Sequence, residues 1–397
     1  MLTLAGRIAG LGTESAFEVL ARANALAAQG RSIIKLGNGQ PDFPTPPHIV
    51  EAGRKALADG HHGYTAANGV PHLREAVAAD LERRHGVAVS PARVLIVPGG
   101  KVTMFFAALM FGEPGAEILY PDPGFPIYES VIRFSGARPV PIPLYESNGF
   151  SFDADDVLAK ITPRTRLLIL NSPANPTGGV VPRAMMDRLA AGLARHPHVA
   201  ILADEIYSEI LYDGSEHVSL LTYPELAERV ILLDGWSKTY AMTGWRLGYG
   251  VWPAALFPHA ERLAINCHSC VNAAAQYAGI AALTGPREPS RAMVAEFAAR
   301  RASFIAALAR LPGVGCIRPG GAFYAFANIT GTGCDCRTLE ARLLDEAGVA
   351  TIAGTSFGAA GEGFLRLSYA ASQAALDEAV RRIETWLMRL SQSVNHL

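Results

Sequence analysis

The sequence predicts an α/β protein with an open, mostly parallel seven-stranded sheet flanked by helices, together with a smaller α+β domain. Three observations lead to this class. Short apolar runs alternate with amphipathic helical patterns through the middle of the chain, and Gly, Pro, Asn or Asp follows most runs. Hydrophobic residues make up 50% of the 397 residues, enough for a large core. The two ends of the chain lack this regular alternation.

Seven apolar runs are expected to form the strands of the large sheet. They are rich in Leu or β-branched residues, as strands buried on both faces are. The runs are Val94–Val97, Ile118–Tyr120, Pro139–Ile142, Leu167–Leu170, Ala200–Ala203, Val230–Leu233 and Leu247–Val251. Amphipathic segments such as Ala184–Ala194 separate them. Strand–helix alternation of this kind favours parallel strands joined by crossover helices.

The ends of the chain predict a second, smaller unit. Glu14–Gln29 has a helical pattern, and Ser32–Leu36 is short and extended. After Pro286, strand candidates alternate with helices. These segments are the helix Ser290–Ala309, the strands Ala322–Ala327 and Phe364–Leu367, and the helices Leu339–Ala347 and Ala374–Leu390. We therefore predict a large domain over residues 48–285 and a small α+β domain built from residues 1–47 and 286–397.

Charge and hydropathy exclude several classes of function. The chain carries 35 Lys and Arg against 36 Asp and Glu, a net charge of −1, so it lacks the basic surface that nucleic acids require. No apolar run approaches the length of a membrane span, and no signal-peptide core follows Met1. We expect a cytoplasmic protein without nucleic-acid or membrane partners. The low charged fraction of 18% favours a surface buried against another subunit.

The five cysteines predict no disulfide framework. Cys267 and Cys270 form one close pair, and Cys334 and Cys336 form another. The separation of the two pairs does not match a zinc ribbon or finger. We expect reduced thiols and no metal.

The carboxyl ends of the predicted strands are where an open α/β sheet binds ligands. Gly99, Gly100 and Lys101 open a helix after the first run, which suits an anion, although an ordinary strand–helix turn has the same appearance. Asn175 lies in a proline-stiffened loop that can present its amide. Asp204 ends a buried strand, where a carboxylate needs a cationic partner.

Two cationic residues follow the next strand end. Lys238 comes after Trp236 in an apolar setting, where desolvation favours the neutral amine that imine formation needs. Arg246 precedes another strand and offers a fork of donors to an anion. With the phenol of Tyr207, these groups match the needs of pyridoxal 5′-phosphate: a lysine, an acid for the ring nitrogen, donors to the ring oxygen and a phosphate cradle.

With these groups in place, the sequence resembles the class I aminotransferases of PLP fold type I, in particular the bacterial aspartate aminotransferase subgroup. The resemblance extends from about Gly37 to Tyr369, with the motifs in order and at family spacing. The motifs are Gly39-Gln40-Pro41-Asp42-Phe43, Tyr64 with Gly69, Asn171–Gly178, Asp204–Tyr207, Ser237-Lys238, Met242–Tyr249 and Arg366-Leu367-Ser368-Tyr369.

The resemblance implies roles around the cofactor ring. Lys238 binds the cofactor covalently and then acts as the base for proton transfer. Asp204 keeps the ring nitrogen protonated, while Asn175 and Tyr207 donate hydrogen bonds to the ring oxygen. Phe125 stacks on the ring.

Further residues are implied at the phosphate. The backbone amides of Gly100 and Lys101 hold it, and the side chains of Ser237 and Arg246 add donors. Tyr64 reaches it from the neighbouring subunit, so the resemblance implies a homodimer with a shared site. Gly235 stands where many relatives have a phosphate-contacting serine, which leaves more of this task to Ser237 and Arg246.

The substrate pocket follows from the same resemblance. Arg366 clamps the α-carboxylate, Gly39 lines the pocket, and Phe125 and Asn175 border it. Gln40 replaces a glutamate common in the family, which a loop position should tolerate.

The implied activity is ping-pong transfer of an amino group between an L-amino acid and a 2-oxo acid, either 2-oxoglutarate or pyruvate. The same residues also suit a β-lyase acting on cysteine conjugates or other C–S bonds, or a cyclising synthase. A non-catalytic PLP-binding protein is a further alternative. The donor stays open between aspartate, alanine and aromatic amino acids. The pocket mouth is expected at Glu14, Ser15, Phe17, Lys101 or residues 267–272, and Lys101 suits either phosphate or substrate.

Overall fold

The computed structural model describes residues 2–394 and confirms the predicted fold class. The α-helices of this part are α1 (Gly6–Ala9), α2 (Ser15–Ala28), α3 (Pro47–Ala58), α4 (Pro71–His85), α5 (Lys101–Phe111), α6 (Ile127–Ser135), α7 (Ala154–Ala159), α8 (Arg183–Leu193), α9 (Phe257–His268), α10 (Ala273–Thr284), α11 (Glu288–Leu308), α12 (Cys336–Arg342) and α13 (Gln373–Val394). The strands are β1 (Ile34–Lys35), β2 (Val94–Val97), β3 (Glu117–Asp122), β4 (Arg138–Pro143), β5 (Thr165–Asn171), β6 (Ala200–Asp204), β7 (Val230–Gly235), β8 (Gly248–Val251), β9 (Tyr324–Asn328), β10 (Val349–Ala350), β11 (Ile352–Ala353) and β12 (Phe364–Ser368).

All seven predicted central strands join one sheet, in the order β2-β8-β7-β6-β5-β3-β4. β3 to β7 are parallel to one another where they pair, and β8 runs antiparallel to both of its neighbours. The edge strand β2 and the inner strands β5, β6 and β7 are buried almost along their whole length, which is why their sequences are continuous apolar runs.

The ends of the chain come together as expected. β1 pairs in parallel with β10, while β11, β12 and β9 form a three-stranded antiparallel sheet. One apolar cluster joins Leu36 from the first part of the chain with Phe297, Leu365 and Trp386 from the last. The division into domains at residues 48–285 stays a prediction.

Two predicted boundaries were wrong. The strand predicted from Ala322 begins at Tyr324, because Ala322 has a positive φ of 56° and its carbonyl accepts hydrogen bonds from the hydroxyls of Tyr212 and Tyr369. The helix predicted over Leu339–Ala347 begins earlier, where Asp335 caps the amide of Thr338, and its last turn is a π-helix.

Parallel strands bring their carboxyl ends to the same edge of the sheet. In the register of the central strands, Asn171 lies opposite Asp204, and Asp204 lies opposite Leu233. The loops that follow β2, β5, β6 and β7 therefore meet at this edge.

No helix within residues 2–394 combines the length and apolar character needed to cross a membrane. The described side chains also contain no group of three or more His, Cys, Asp or Glu that could hold a metal ion. The cytoplasmic location stays a prediction.

Candidate active site

A cavity of about 560 Å³ opens at the carboxyl edge of the large sheet. Its walls come from the strand-end loops, the N-terminal segment and the three-stranded sheet. With the exception of Tyr64, the residues predicted for the site all line it: Gly39, Gly100, Lys101, Phe125, Asn175, Asp204, Tyr207, Ser237, Lys238, Arg246 and Arg366.

Lys238 follows the end of β7 and extends its amine into the cavity. Nζ donates a hydrogen bond to the carbonyl of Gly39 at 2.5 Å and lies 5.8 Å from the centre of the Tyr207 ring. Desolvation lowers the pKa of this amine to about 8, and the positive charge of Arg366 acts in the same direction. A substantial neutral fraction is therefore present near pH 8, as a nucleophilic amine requires.

Asp204 is a buried carboxylate that forms no ion pair with any side chain the structure describes. Oδ2 accepts a hydrogen bond from the hydroxyl of Tyr128 at 2.6 Å, and Oδ1 accepts one from the amide of Ile206 at 3.3 Å. Burial raises the pKa of Asp204 to about 6, against the opposing effect of the Tyr128 hydrogen bond. A carboxylate in this setting fits a ligand that brings its own positive charge, such as a protonated ring nitrogen.

Sequence reasoning missed Tyr128, which lies in the first turn of α6. Its ring packs edge-on against Phe125, at 5.7 Å between ring centres, so α6 supplies both an aromatic wall and the donor that orients Asp204. No local pattern in the sequence singles out Tyr128, because its partner Asp204 lies 76 residues further along the chain.

The predicted anion cradle is formed at the start of α5. Gly99 has a φ of +93°, and a Cβ there would lie 2.1 Å from Nη2 of Arg246, so this close approach requires glycine. Arg246 donates to the carbonyls of Thr243 and Pro98, which hold its guanidinium beside the helix N-terminus. The helix dipole and the guanidinium together fit a phosphate group, and Ser237 lines the same wall.

Arg366 is a buried cation without a carboxylate partner among the described residues. Nη1 donates to the side-chain oxygen of Asn175 at 2.9 Å, and Nη2 donates to the carbonyl of Gly37 at 2.6 Å. The guanidinium lies between the rings of Tyr324 and Phe357, at 4.6 and 4.7 Å. Its Nε has no hydrogen-bond partner, which leaves donor capacity for a carboxylate ligand.

Asn175 and Tyr207 were predicted to donate to one ring oxygen. The side-chain oxygen of Asn175 is occupied by Arg366, so its amide nitrogen remains as a donor towards the cavity. The hydroxyl of Tyr207 shares a hydrogen bond of 2.8 Å with the hydroxyl of Tyr324. Tyr324 is a second residue that sequence reasoning missed.

The mouth of the cavity carries a charged pair. The ammonium of Lys101 forms an ion pair with Glu14 and lies 5.1 Å from the centre of the Phe125 ring. The backbone of Lys101 begins α5 at the cradle, whereas its side chain extends to the mouth. Ser15 and Phe17 line the same opening, as expected, but no residue of 267–272 does so in this chain.

Tyr64 lies outside the cavity of its own chain, with 95% of its surface exposed. The loop that carries it is nevertheless anchored. The amide of Thr65 donates to Sγ of Cys270, and its hydroxyl accepts from Nε2 of Gln276 at 3.0 Å.

Comparison with known proteins agrees with this geometry. Residues 31–383 match the family described as aminotransferase class I and II. The chain is 36% identical to an aspartate aminotransferase of Geobacillus stearothermophilus, over 97% of this chain and 99% of that protein. It is 39% identical to an arginine–pyruvate transaminase of Pseudomonas aeruginosa, over 95% of each.

Solved structures show the same likeness. The aspartate aminotransferase of Rhizobium meliloti superposes with a TM-score of 0.93 at 35% identity, over 98% of this chain and 100% of that one. The aspartate aminotransferase of Thermus thermophilus with maleate gives a TM-score of 0.91 at 35% identity, over 97% of this chain and 100% of that one.

The pKa of Lys238 leads to a prediction for the protein stripped of cofactor. The rate at which pyridoxal phosphate bonds to the lysine should rise about tenfold per pH unit below about pH 8 and level off above it, because only the neutral amine attacks. The visible absorbance of the lysine-bound cofactor, followed after rapid mixing, measures this rate. Nα-acetyl-lysine is the control, and its rate should continue to rise to about pH 10. A protein rate that follows the control curve would contradict the prediction.

Proposed function

Because the chain belongs to the aminotransferase class I and II family, we propose specific roles for the residues that line its cavity. The protein is a pyridoxal 5′-phosphate-dependent aminotransferase that moves an amino group between an amino acid and a 2-oxo acid. The observation that carries the assignment of roles is the placement of the Lys238 amine in one cavity with two buried, unpaired charges, Asp204 and Arg366.

These residues fit the cofactor. When bound, pyridoxal 5′-phosphate supplies an aldehyde that takes up the amino group and a ring that withdraws electrons from the substrate Cα. Asp204 would pair with the ring nitrogen, since it is a buried carboxylate without a cation. The N-terminus of α5, with Ser237 and Arg246, would hold the phosphate. Asn175 and Tyr207 would donate to the ring oxygen, and Phe125 would cover one face of the ring.

The remaining steps are assigned to two basic side chains, Arg366 and Lys238. Arg366 binds the α-carboxylate of the amino acid through bidentate hydrogen bonds from its guanidinium, and it thereby orients the Cα proton. Lys238, released when the substrate amine takes its place, accepts that proton at Nζ. Its lowered pKa suits this exchange, because a general base acts best when its pKa lies near the working pH.

The β-lyase alternative uses the same groups, so geometry alone does not separate it from transamination. The relatives reported above carry aminotransferase names, and none of the comparisons supports a lyase. A non-catalytic PLP-binding protein would form the same bond to Lys238, so the names of the relatives are what favour an aminotransferase over it.

Replacement of Lys238 tests the assignment of the catalytic amine. Lys238→Ala should reduce turnover by a factor of roughly 10⁴ or more and abolish the borohydride-reducible bond to the cofactor, because the other lysine that lines the cavity, Lys101, is held at the mouth by its ion pair with Glu14. Mass spectrometry of borohydride-treated protein measures the bond. Lys55→Ala, on an exposed face of α3, is the matched control and should keep both properties. An active Lys238→Ala variant would refute the role.

We further propose that acidic amino acids are among the substrates. Arg366 would take the α-carboxylate, and Lys101 would take the side-chain carboxylate in exchange for Glu14. Lys101 is anchored by the start of α5, whereas Glu14 precedes α2, and its carboxylate has no other hydrogen bond or ion pair among the described residues. A cationic substrate is the second candidate, because Glu14 would then bind its side chain.

Two single variants separate these candidates. Lys101→Met should raise KM for aspartate about tenfold and leave KM for alanine nearly unchanged, since a charge-assisted hydrogen bond is lost. Glu14→Gln frees Lys101 and should lower KM for aspartate. Initial rates with aspartate, alanine and arginine as donors measure both effects. If Glu14→Gln instead raises KM for arginine while Lys101→Met leaves aspartate unaffected, the cationic substrate is correct.

We also propose a homodimer that shares its sites through Tyr64. An exposed aromatic side chain on an anchored loop suits a partner surface, and Leu4 and Ile265 are further exposed apolar side chains that a partner subunit would cover. A second copy would place the Tyr64 hydroxyl at the partner's phosphate cradle.

Removal of this hydroxyl tests the shared site. Tyr64→Phe should weaken cofactor binding roughly tenfold without changing the molar mass, because one hydrogen bond to a charged phosphate is lost. Cofactor release during dialysis and light scattering measure the two properties. Tyr145→Phe, also exposed, is the control and should bind cofactor normally. A fully active monomer would contradict the proposal.

A further inference from the structure

The hydroxyl of Tyr324 is the side-chain partner of the Tyr207 hydroxyl. Tyr324 begins β9, Tyr207 follows the end of β6, and their oxygens are 2.8 Å apart. Both residues are at least 97% buried. Two buried hydroxyls in one hydrogen bond hold two protons, of which the bond uses one.

The position of Tyr324 is fixed by its surroundings. The Arg366 guanidinium lies over its ring at 4.6 Å, and the ring of Phe323 packs at 4.8 Å between centres. Its hydroxyl lies against Gly39, where a Cβ would come within 2.7 Å of the oxygen. The ring therefore cannot turn its hydroxyl away from Tyr207 without displacing Arg366 or the segment around Gly39.

Both hydroxyls keep their protons at neutral pH, because burial raises the pKa of Tyr207 and of Tyr324. Either oxygen is able to donate to the other. If Tyr324 donates, the proton of Tyr207 is free to point into the cavity. If Tyr207 donates, it has no proton left for a ligand. No other acceptor for the Tyr324 hydroxyl lies within hydrogen-bond distance among the described residues.

We propose that Tyr324 is a positioning residue that donates its proton to Tyr207 and thereby directs the Tyr207 proton to the ring oxygen of the cofactor. This inference rests on the proposed function, in which Tyr207 binds that oxygen. A hydroxyl that accepts one hydrogen bond becomes a stronger donor of another. The stronger bond stabilises negative charge on the ring oxygen, so that oxygen attracts the proton of the neighbouring Lys238 nitrogen less strongly. The pKa of the cofactor-bound Lys238 nitrogen is therefore lowered.

The holoenzyme itself reports this effect. The visible spectrum of the lysine-bound cofactor changes when the Lys238 nitrogen loses its proton. A spectrophotometric pH titration without substrate therefore gives the midpoint of this deprotonation. Tyr207→Phe should raise the midpoint by about 1 to 2 pH units, since the whole hydrogen bond is lost. Tyr324→Phe, which keeps the ring beneath Arg366, should raise it by about 0.5 pH unit. The double variant should match Tyr207→Phe alone, because Tyr324 acts through Tyr207.

Tyr212→Phe is the matched control, since it removes another buried tyrosine hydroxyl that bonds to the carbonyl of Ala322 outside the cavity. Its midpoint should equal that of the unmodified protein. A shift in Tyr207→Phe with none in Tyr324→Phe would overturn the role of Tyr324 and leave the proposed function intact. No shift in either variant would overturn the proposed contact of Tyr207 itself. An additive double variant, or an equal shift in Tyr212→Phe, would show that Tyr324 does not act through Tyr207.

Discussion

Two buried charges of opposite sign that do not pair with each other define this site. Asp204 at the end of β6 and Arg366 in β12 line one cavity, yet each is satisfied by neutral groups: Tyr128 and a backbone amide for the carboxylate, Asn175 and a backbone carbonyl for the guanidinium. A buried charge without a counter-ion is costly. The surrounding strands and loops must therefore hold both groups rigidly. A ligand that brings the opposite charges forms the ion pairs that the protein itself does not supply.

The N-terminal segment that closes the cavity is tied to both sides of the molecule. The carbonyls of Gly37 and Gly39 accept from Arg366 and Lys238. Further along, Asp42 pairs with Arg300 of α11, and Thr45 donates to the carbonyl of Ala241 beside the Lys238 turn. The same segment thus contacts both Arg366 and Lys238, the two residues proposed to bind the substrate carboxylate and to exchange the proton.

The sequence pattern predicted the central strands and the site residues that follow them, because both depend on local periodicity. Buried strands read as apolar runs, and their carboxyl ends identify the residues of the cradle together with Asp204 and Lys238. The sequence did not reveal Tyr128 and Tyr324, because their partners are 76 and 117 residues away along the chain. The path of the Lys101 side chain was equally hidden, since its partner Glu14 lies 87 residues before it. Tertiary contacts of this range leave no local signal.

Buried carboxylates on the side of these strands away from the cavity do have charged or polar side-chain partners, unlike a carboxylate left without a cation in the cavity. Glu205, next in sequence to Asp204, is equally buried but accepts from His217 at 2.7 Å and Ser219 at 2.9 Å. Asp234 at the end of β7 pairs with Arg84 at 3.0 Å. The fold therefore supplies a partner to each of these carboxylates on the side away from the cavity. Because the same strand ends leave Asp204 without a cation, the missing charge is one that a ligand is expected to bring.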